Sequence, residues 1–209
     1  AALKESFASD GQPGSYTDID HADVICLYGH NMAETQTVLW TRILDRLAGP
    51  HPPQVICVDP RRTEVAAHAT VHLAPRPGTN VVVMNALLGE LLAHDWVDHD
   101  YLEAHAVGFE ELQKMLAGHS VERAAELCDV PAADLREAAR IIGSSERLLS
   151  TVLQGFYQSH QSTAAAVQVN NIHILRGMLG KPGCGILQMN GQPTAQNTRE
   201  AGADGDLPA

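Results

Sequence analysis

Two hydrophobic patterns alternate along the chain: short runs of β-favouring residues, and longer stretches in which apolar residues recur every three or four positions. The short runs predict four strands, at 24–28, 54–58, 70–75 and 147–153. The longer stretches predict helices at 36–47, 63–69, 81–93, 98–105, 110–117, 121–128, 131–142 and 162–179. Residues 1–22 are mostly polar, and everything from Gly183 onward is predicted to be loop. This alternation favours an α/β fold: a Rossmann-like, doubly wound, mainly parallel sheet with helices on both faces.

The first strand ends in a polar turn that contains a glycine. Glycine lets the backbone approach a phosphate closely, and the free N–H groups of the following helix attract anions beyond the carboxyl end of the strand. The turn lacks the GxGxxG fingerprint of dinucleotide sites, and an ordinary strand-to-helix turn is the alternative. The candidate cofactor-binding residues are Tyr28, Gly29, His30, Asn31, Met32, Ala33, Glu34 and Thr35.

The second strand ends in a carboxylate that is followed by two arginines. A carboxylate at a strand end can accept two hydrogen bonds from a guanine edge or from ribose hydroxyls, and arginines can pair with phosphates. The alternative is that Asp59 caps a helix while Arg62 forms a surface ion pair. The candidate binding residues are Asp59, Pro60, Arg61, Arg62 and Thr63.

Polar groups also follow the third and fourth strands. Gly78, Thr79 and Asn80 stand just before a helix, where Thr79 or Asn80 caps that helix, or the loop amides face the same ligand, or both. Gln154 and Gln158 flank Gly155 after the fourth strand, and their amides suit a heterocycle with mixed donor and acceptor edges.

Composition excludes several classes of protein. A net charge of −11 without any Lys/Arg cluster argues against a nucleic-acid-binding surface. The longest apolar runs fall short of the ~18 residues that span a bilayer, so we expect no membrane insertion. The first ten residues lack the apolar segment of a signal peptide, and we expect a cytoplasmic protein. The chain begins without methionine and resembles an excised piece of a longer protein.

No metal site is expected in this chain. The four cysteines have no CxxC spacing, and the eleven histidines form no HExxH motif. His30 is expected near the ligand in a solvated role, and His21, His68, His94, His99 and His119 are expected to be exposed or satisfied locally.

Taken together, the segments 28–35, 58–63, 76–80, 154–158, 180–185 and 191–193 resemble, in order and spacing, the molybdopterin oxidoreductases of the dimethyl-sulfoxide reductase family. The resemblance covers nearly the whole chain. It implies a bis-molybdopterin guanine dinucleotide cofactor with molybdenum, of which this domain would cradle one dinucleotide. Residues 28–35 would surround the pyrophosphate, and 59–63 and 78–80 the guanosine. Gln154 and Gln158 would lie near the pterin or its linker.

The resemblance also implies how the chain is divided. Residues 1–190 would form the α/β cofactor-binding domain, and 191–209 the start of a return into a neighbouring domain. The protein ligand of molybdenum and an iron–sulfur cluster would lie upstream of residue 1. The implied partners are the remaining domains of the parent chain and an electron donor protein or domain, and this fragment alone would be inactive.

The substrate implied by the resemblance is nitrate, reduced by two-electron oxygen-atom transfer. Residues 189–195, with Gln192 among the expected cofactor-binding residues, resemble the Gly-Gln-Pro segment of bacterial nitrate reductases. Formate dehydrogenases of the family typically carry an arginine where Asn190 stands, and they are the alternative. Arg199 is a candidate for facing an anionic substrate, and an ion pair with Glu200 is the other interpretation.

Two alternative hypotheses assign the chain to other functional classes. A nucleotide-binding module without redox chemistry would need only the first three loops. A structural or electron-transfer subunit would need an exposed apolar patch on the helices of 110–142.

Overall fold

The computed structural model describes residues 1–9 and 11–189, and it contains one five-stranded sheet. The strands lie in the order β3-β2-β1-β4-β5, and each neighbouring pair is parallel. The strands are β1 (Val24–Tyr28), β2 (Gln54–Val58), β3 (Val71–Leu73), β4 (Leu148–Val152) and β5 (Gly185–Gln188). The four predicted strands are confirmed, and the fold class with them.

Eleven α-helices and one 3₁₀ helix connect the strands within the described residues. The 3₁₀ helix is Tyr16–Asp20, and the α-helices are α1 (Ala2–Phe7), α2 (Met32–Thr35), α3 (Thr37–Leu47), α4 (Glu64–Ala67), α5 (Asn80–Ala93), α6 (His99–His105), α7 (Phe109–Leu116), α8 (Val121–Cys128), α9 (Ala132–Ser144), α10 (Gln154–Tyr157) and α11 (Ser162–Leu175).

Both faces of the sheet are covered, which is why most residues of its strands are apolar and buried. One face packs against the buried residues of α5, α8, α9 and α11, with Cys26, Ile56 and Leu148 from the sheet. The other face packs against the 3₁₀ helix, α3 and α4, with Ile25, Val55 and Leu149. The strand order switches direction at β1, because β2 and β3 are added on one side of β1 and β4 and β5 on the other.

Three sequence predictions were wrong in detail. The segment after Gly183 is not all loop, because residues 185–188 pair with β4 as β5. The last helix ends at Leu175 and not at 179. The polar start of the chain contains α1, which docks on α11 through Asn170: its side-chain amide donates to Ala2 O at 3.1 Å and to Ser6 Oγ at 2.9 Å. Strand β5 and helix α1 each depend on a contact distant in sequence.

The outer edge of β5 is covered by the segment that precedes the 3₁₀ helix. Ile186 N donates to Pro13 O at 3.2 Å. A Cβ atom on Gly185 would lie 2.6 Å from both Gly14 Cα and Pro13 O, so the two main chains are in direct contact. Asp18 holds the same corner by accepting from Gly183 N at 2.9 Å and from Ser15 N at 2.7 Å.

Candidate functional site

The carboxyl ends of the parallel strands lie side by side at one edge of the sheet. Tyr28 is in register with Val58 on one side and with Val152 on the other. Val58 is in register with Leu73, and Val152 with Gln188. The turns that begin at Gly29, Asp59 and Leu153 therefore leave the sheet next to one another, at the point where the strand order switches direction. Such a point is where α/β sheets bind their ligands.

The turn after β1 is held by main-chain contacts on both sides. Gly29 N donates to Val58 O at 2.8 Å, and Gly29 O accepts from Gly155 N at 3.1 Å. Gly29 has φ +56°, and a Cβ atom there would lie 2.3 Å from Phe156 N. Only glycine tolerates this conformation and this close approach. The glycine therefore joins the turns after β1 and β4.

The remainder of this turn presents polar groups of unequal burial. Asn31 is buried, and its Oδ1 atom has no hydrogen-bond partner. Met32 is buried in the core, whereas Glu34 and Thr35 are exposed. Thr35 Oγ1 donates to Asn31 O at 3.1 Å, which closes the single turn of α2. A buried acceptor left unpaired costs about 1 to 3 kcal/mol, so Asn31 Oδ1 is a group that a bound ligand would stabilise.

His30 is buried, so the predicted solvated role is wrong. Only 1% of the residue is exposed. Its ring forms hydrogen bonds with Thr151 Oγ1 of β4 through Nδ1 (2.8 Å) and with Gln36 Oε1 through Nε2 (2.7 Å). Burial lowers the pKa of His30 to about 4. The five histidines predicted to be exposed are exposed: His21, His68, His94, His99 and His119.

Asp59 is almost fully buried at the end of β2. Its Oδ1 accepts from Arg61 N at 2.9 Å and from Arg61 Nε at 3.4 Å, and its main-chain oxygen accepts from His72 Nε2 at 2.8 Å. The helix-cap alternative for Asp59 is wrong, because Thr63 caps α4 through a bond from Ala66 N. The ion pair is formed with Arg61 rather than Arg62. Pro60, Arg61 and Arg62 are exposed.

The loop before α5 leaves the first turn of that helix without a side-chain cap. Thr79 Oγ1 donates instead to Arg76 O at 2.6 Å, so the predicted cap by Thr79 or Asn80 is wrong. Arg76 N anchors the loop by donating to Cys128 O at 2.7 Å. Gly78 has φ +91°, and a Cβ atom there would meet nothing within 4 Å. The uncapped start of α5 is therefore open to an anion or a polar ligand.

A cavity of about 350 Å³ lies beyond the carboxyl ends of β4 and β5. Its wall contains both predicted glutamines, Gln154 and Gln158, together with Tyr157 and Gln188. The Tyr157 hydroxyl and Gln188 Nε2 are buried without a hydrogen-bond partner, and so is the neighbouring Ser159 Oγ. Gln188 is not among the predicted site residues, because the sequence pattern did not predict β5. A glutamine at the end of a hydrophobic run, as at Gln154, was the available signal.

Gln192 and Arg199 lie outside the described residues, as does the proposed boundary at residue 190. Among residues 1–9 and 11–189, no group of three His, Cys, Asp or Glu side chains is arranged to hold a metal ion. In the same part of the chain, no helix has the length and apolar character needed to cross a membrane.

The family model described as Molybdopterin oxidoreductase matches residues 3–209. The chain belongs to the molybdopterin oxidoreductase family. The resemblance given by the sequence motifs is thereby confirmed.

Relatives within the molybdopterin oxidoreductase family include enzymes of more than one activity. A nitrate reductase from Shewanella frigidimarina is 34% identical over 204 residues, which is 97% of this chain and 22% of that protein. A nitrate reductase from Synechocystis is 32% identical over 97% of this chain and 28% of its own length. Formate dehydrogenase H from Escherichia coli is 26% identical over 97% of this chain and 28% of its own length. The chain thus spans about a quarter of these relatives.

Among solved structures, acetylene hydratase from Pelobacter acetylenicus superposes with a TM-score of 0.72. The match covers 83% of this chain and 23% of that protein, at 22% sequence identity. At this identity the likeness concerns the fold, and it agrees with the α/β architecture described above.

Proposed function

We propose that this chain is the part of a molybdenum oxidoreductase that holds one molybdopterin guanine dinucleotide along the carboxyl edge of its sheet. One observation carries the proposal: five of the seven buried side-chain atoms without a hydrogen-bond partner in the described residues belong to residues at this edge. Buried polar groups are normally paired in a folded protein, so their concentration here favours a ligand that supplies the partners. The five atoms belong to Tyr28, Asn31, Tyr157, Ser159 and Gln188.

The residues present suit each part of such a cofactor. The glycine turn at Gly29 and the uncapped start of α5 offer main-chain N–H groups to phosphate or ribose. Asp59 offers a buried carboxylate for the donor edge of guanine, with exposed Arg61 and Arg62 beside it. The amide-lined cavity at Gln154 supplies both donors and acceptors, as a pterin would require.

When bound, the molybdenum cofactor would supply two-electron oxygen-atom transfer, and this chain would bind and orient it. The protein ligand of molybdenum, any iron–sulfur cluster and the electron donor would belong to other parts of the parent enzyme or to its partner. We propose nitrate as the substrate, supported by nitrate reductase relatives at 34% and 32% identity. The formate alternative is supported by F420-dependent formate dehydrogenase subunits at 29% and 30% identity.

Titration of the 209-residue chain with GDP, followed by calorimetry, tests the cofactor proposal. We expect GDP to bind more tightly than ADP, because Asp59 accepts from the N–H groups of guanine and adenine lacks that arrangement. The Asp59→Asn variant should lose about tenfold or more in GDP affinity, since one acceptor becomes a donor.

Asp18→Asn is the matched control. Asp18 is also a buried carboxylate that accepts from main-chain N–H groups, but it lies at the opposite edge of the sheet. The Asp18→Asn variant should be less stable than the wild-type chain but should bind GDP with the same affinity. Equal binding of GDP and ADP, or equal loss of GDP affinity in both variants, would contradict the proposed site. Nitrate and formate are distinguished by assaying the parent enzyme with each substrate and a redox dye.

A further inference from the structure

His30 lies at the junction of the turns after β1 and β4, and its ring links them. His30 follows Gly29, whose main chain contacts Gly155. The His30 ring forms a hydrogen bond with the buried hydroxyl of Thr151. Thr151 is paired in register with Leu27 of β1, so the bond spans neighbouring strands. On its other side the ring contacts Gln36, the residue between α2 and α3. The His30 side chain thus connects both ends of the turn of residues 29–36 to β4.

The direction of these hydrogen bonds follows from Gln36. Its Oε1 can only accept, so it accepts from the His30 ring. His30 Nε2 therefore carries the proton, which leaves Nδ1 to accept from the Thr151 hydroxyl. Burial keeps the ring neutral, because its pKa is lowered to about 4. Both ring nitrogens are satisfied, so the ring has one orientation.

The chain contains a second buried histidine for comparison. His173 of α11 forms hydrogen bonds with Ser150 Oγ through Nε2 (2.7 Å) and with Met178 O through Nδ1 (3.0 Å). Burial lowers its pKa to about 4 as well. Ser150 and Thr151 are adjacent in β4, so these two networks lie on opposite faces of the sheet. Only the His30 network includes a turn at the carboxyl edge.

We propose that the Thr151–His30–Gln36 network is a positioning device that fixes the turn of residues 29–36 for the phosphate groups of the cofactor. This inference rests on the proposed function and adds residues to it, since neither Thr151 nor Gln36 belongs to the predicted site. His30 acts by holding the main chain and leaves phosphate contact to the N–H groups of the turn. Without the network, the single helical turn of α2 would depend on local bonds alone. These are the bond from the Thr35 hydroxyl to Asn31 O and four main-chain bonds, from Met32 N to His30 O, from Glu34 N and Thr35 N to Asn31 O, and from Gln36 N to Met32 O.

The test compares adjacent hydroxyl deletions in β4. Thr151→Val removes the bond to His30 at nearly constant shape, Thr151→Ser restores the hydroxyl, and Ser150→Ala removes the equivalent bond to His173. For each variant of the whole chain, calorimetry gives the affinities for GDP and for guanosine. Native-state hydrogen exchange gives the protection of the amides of Glu34, Thr35 and Gln36.

We expect Thr151→Val to weaken GDP binding by about tenfold or more while guanosine binding stays unchanged, because only the phosphates contact the turn. The three amides should exchange faster in this variant. Thr151→Ser should recover both properties, and Ser150→Ala should leave both as in the wild-type chain. A purely structural role would weaken GDP and guanosine equally, or would not discriminate Thr151 from Ser150.

Two results separate this inference from the proposed function. If the wild-type chain binds GDP and Thr151→Val binds it as tightly, the positioning role is overturned while the site remains. If the wild-type chain binds neither GDP nor guanosine, the proposed function fails. Amide exchange alone then decides whether Thr151 holds the turn, and unchanged protection in Thr151→Val overturns that as well.

Discussion

The main chains of Gly29 and Gly155 are in direct contact at the centre of the carboxyl edge. Gly155 N donates to Gly29 O at 3.1 Å, and a Cβ atom on Gly155 would lie 2.9 Å from both Gly29 Cα and Gly29 O. The atoms in the way are backbone, which cannot rotate aside as a side chain can. Two strands that enter the sheet far apart in sequence therefore depend on a pair of residues without side chains.

Gly155→Ala should destabilise the chain by about 1 to 3 kcal/mol, because the new methyl group forces the two turns apart. The free energy of unfolding from urea titration measures the effect. Gly118→Ala is the control, since nothing lies within 4 Å of its Cβ position, and it should change stability by less than about 0.5 kcal/mol. Equal losses in the two variants would show that the close approach is not what excludes alanine.

A second glycine pair separates packing from helix propensity. Gly143 lies within α9, where a Cβ atom would meet the Trp96 ring at 2.3 Å, whereas Gly89 of α5 has its nearest neighbour, His119 O, at 3.4 Å. Gly143→Ala should destabilise by about 1 to 3 kcal/mol. Gly89→Ala should stabilise by up to about 1 kcal/mol through helix propensity. Thermal and urea unfolding of both variants test this prediction, and stabilisation by Gly143→Ala would contradict it.

The two buried histidines make stability depend on pH. The pKa of His30 and that of His173 are each lowered by burial from 6.5 to about 4 in the folded chain. Between these values the unfolded chain binds protons that the folded chain does not, so stability falls as the pH falls from 6.5 towards 4. The loss between pH 7 and pH 5 should be about 2 kcal/mol for each histidine.

Urea unfolding at several pH values measures this slope. A His173→Gln variant should be less stable at neutral pH but should lose its share of the slope, because glutamine does not titrate. A slope that is unchanged in this variant would assign the pH dependence to other groups, such as the paired carboxylates of Asp20 and Glu122, whose pKa values are lowered by Arg42 and Arg136.

We expect Gln188 to lower the stability of the chain and to contribute to cofactor binding. Its buried Nε2 has no partner, so Gln188→Met should raise the free energy of unfolding of the chain by about 1 kcal/mol. The same change should lower the pterin and molybdenum content of the purified parent enzyme, if the cavity at Gln154 receives the pterin. Gln54→Met, at the amino end of β2, is the control and should leave the cofactor content unchanged. Full cofactor content in Gln188→Met would remove Gln188 from the site.

The elements that could be predicted from sequence are those whose pattern is local. The first four strands are runs rich in β-branched and aliphatic residues. Because these strands are parallel, the turns that follow them all lie at the same edge of the sheet. Strand β5 was missed because Gly185-Ile186-Leu187-Gln188 is short and follows a glycine-rich turn, so its identity depends on pairing with β4.

The burial of His30 was missed for a related reason. Its partner Thr151 lies on β4, and no local pattern connects the two residues. For Asp59, the position at a strand end was predicted from sequence. The hydrogen bond that Asp59 accepts from Arg61 N was not. Sequence located the polar loops of the site, and tertiary contacts decided which of their side chains face inward.

The contact between Gly14 and Gly185 limits what can assemble with this sheet. Exposed strand edges are where foreign strands add and aggregates nucleate, but the outer side of β5 is already covered by main chain at Pro13–Gly14. The opposite border, β3, offers only three residues. The β5 side of the sheet is therefore closed to a sixth strand, and any partner that approaches this side has to pack through helices or loops.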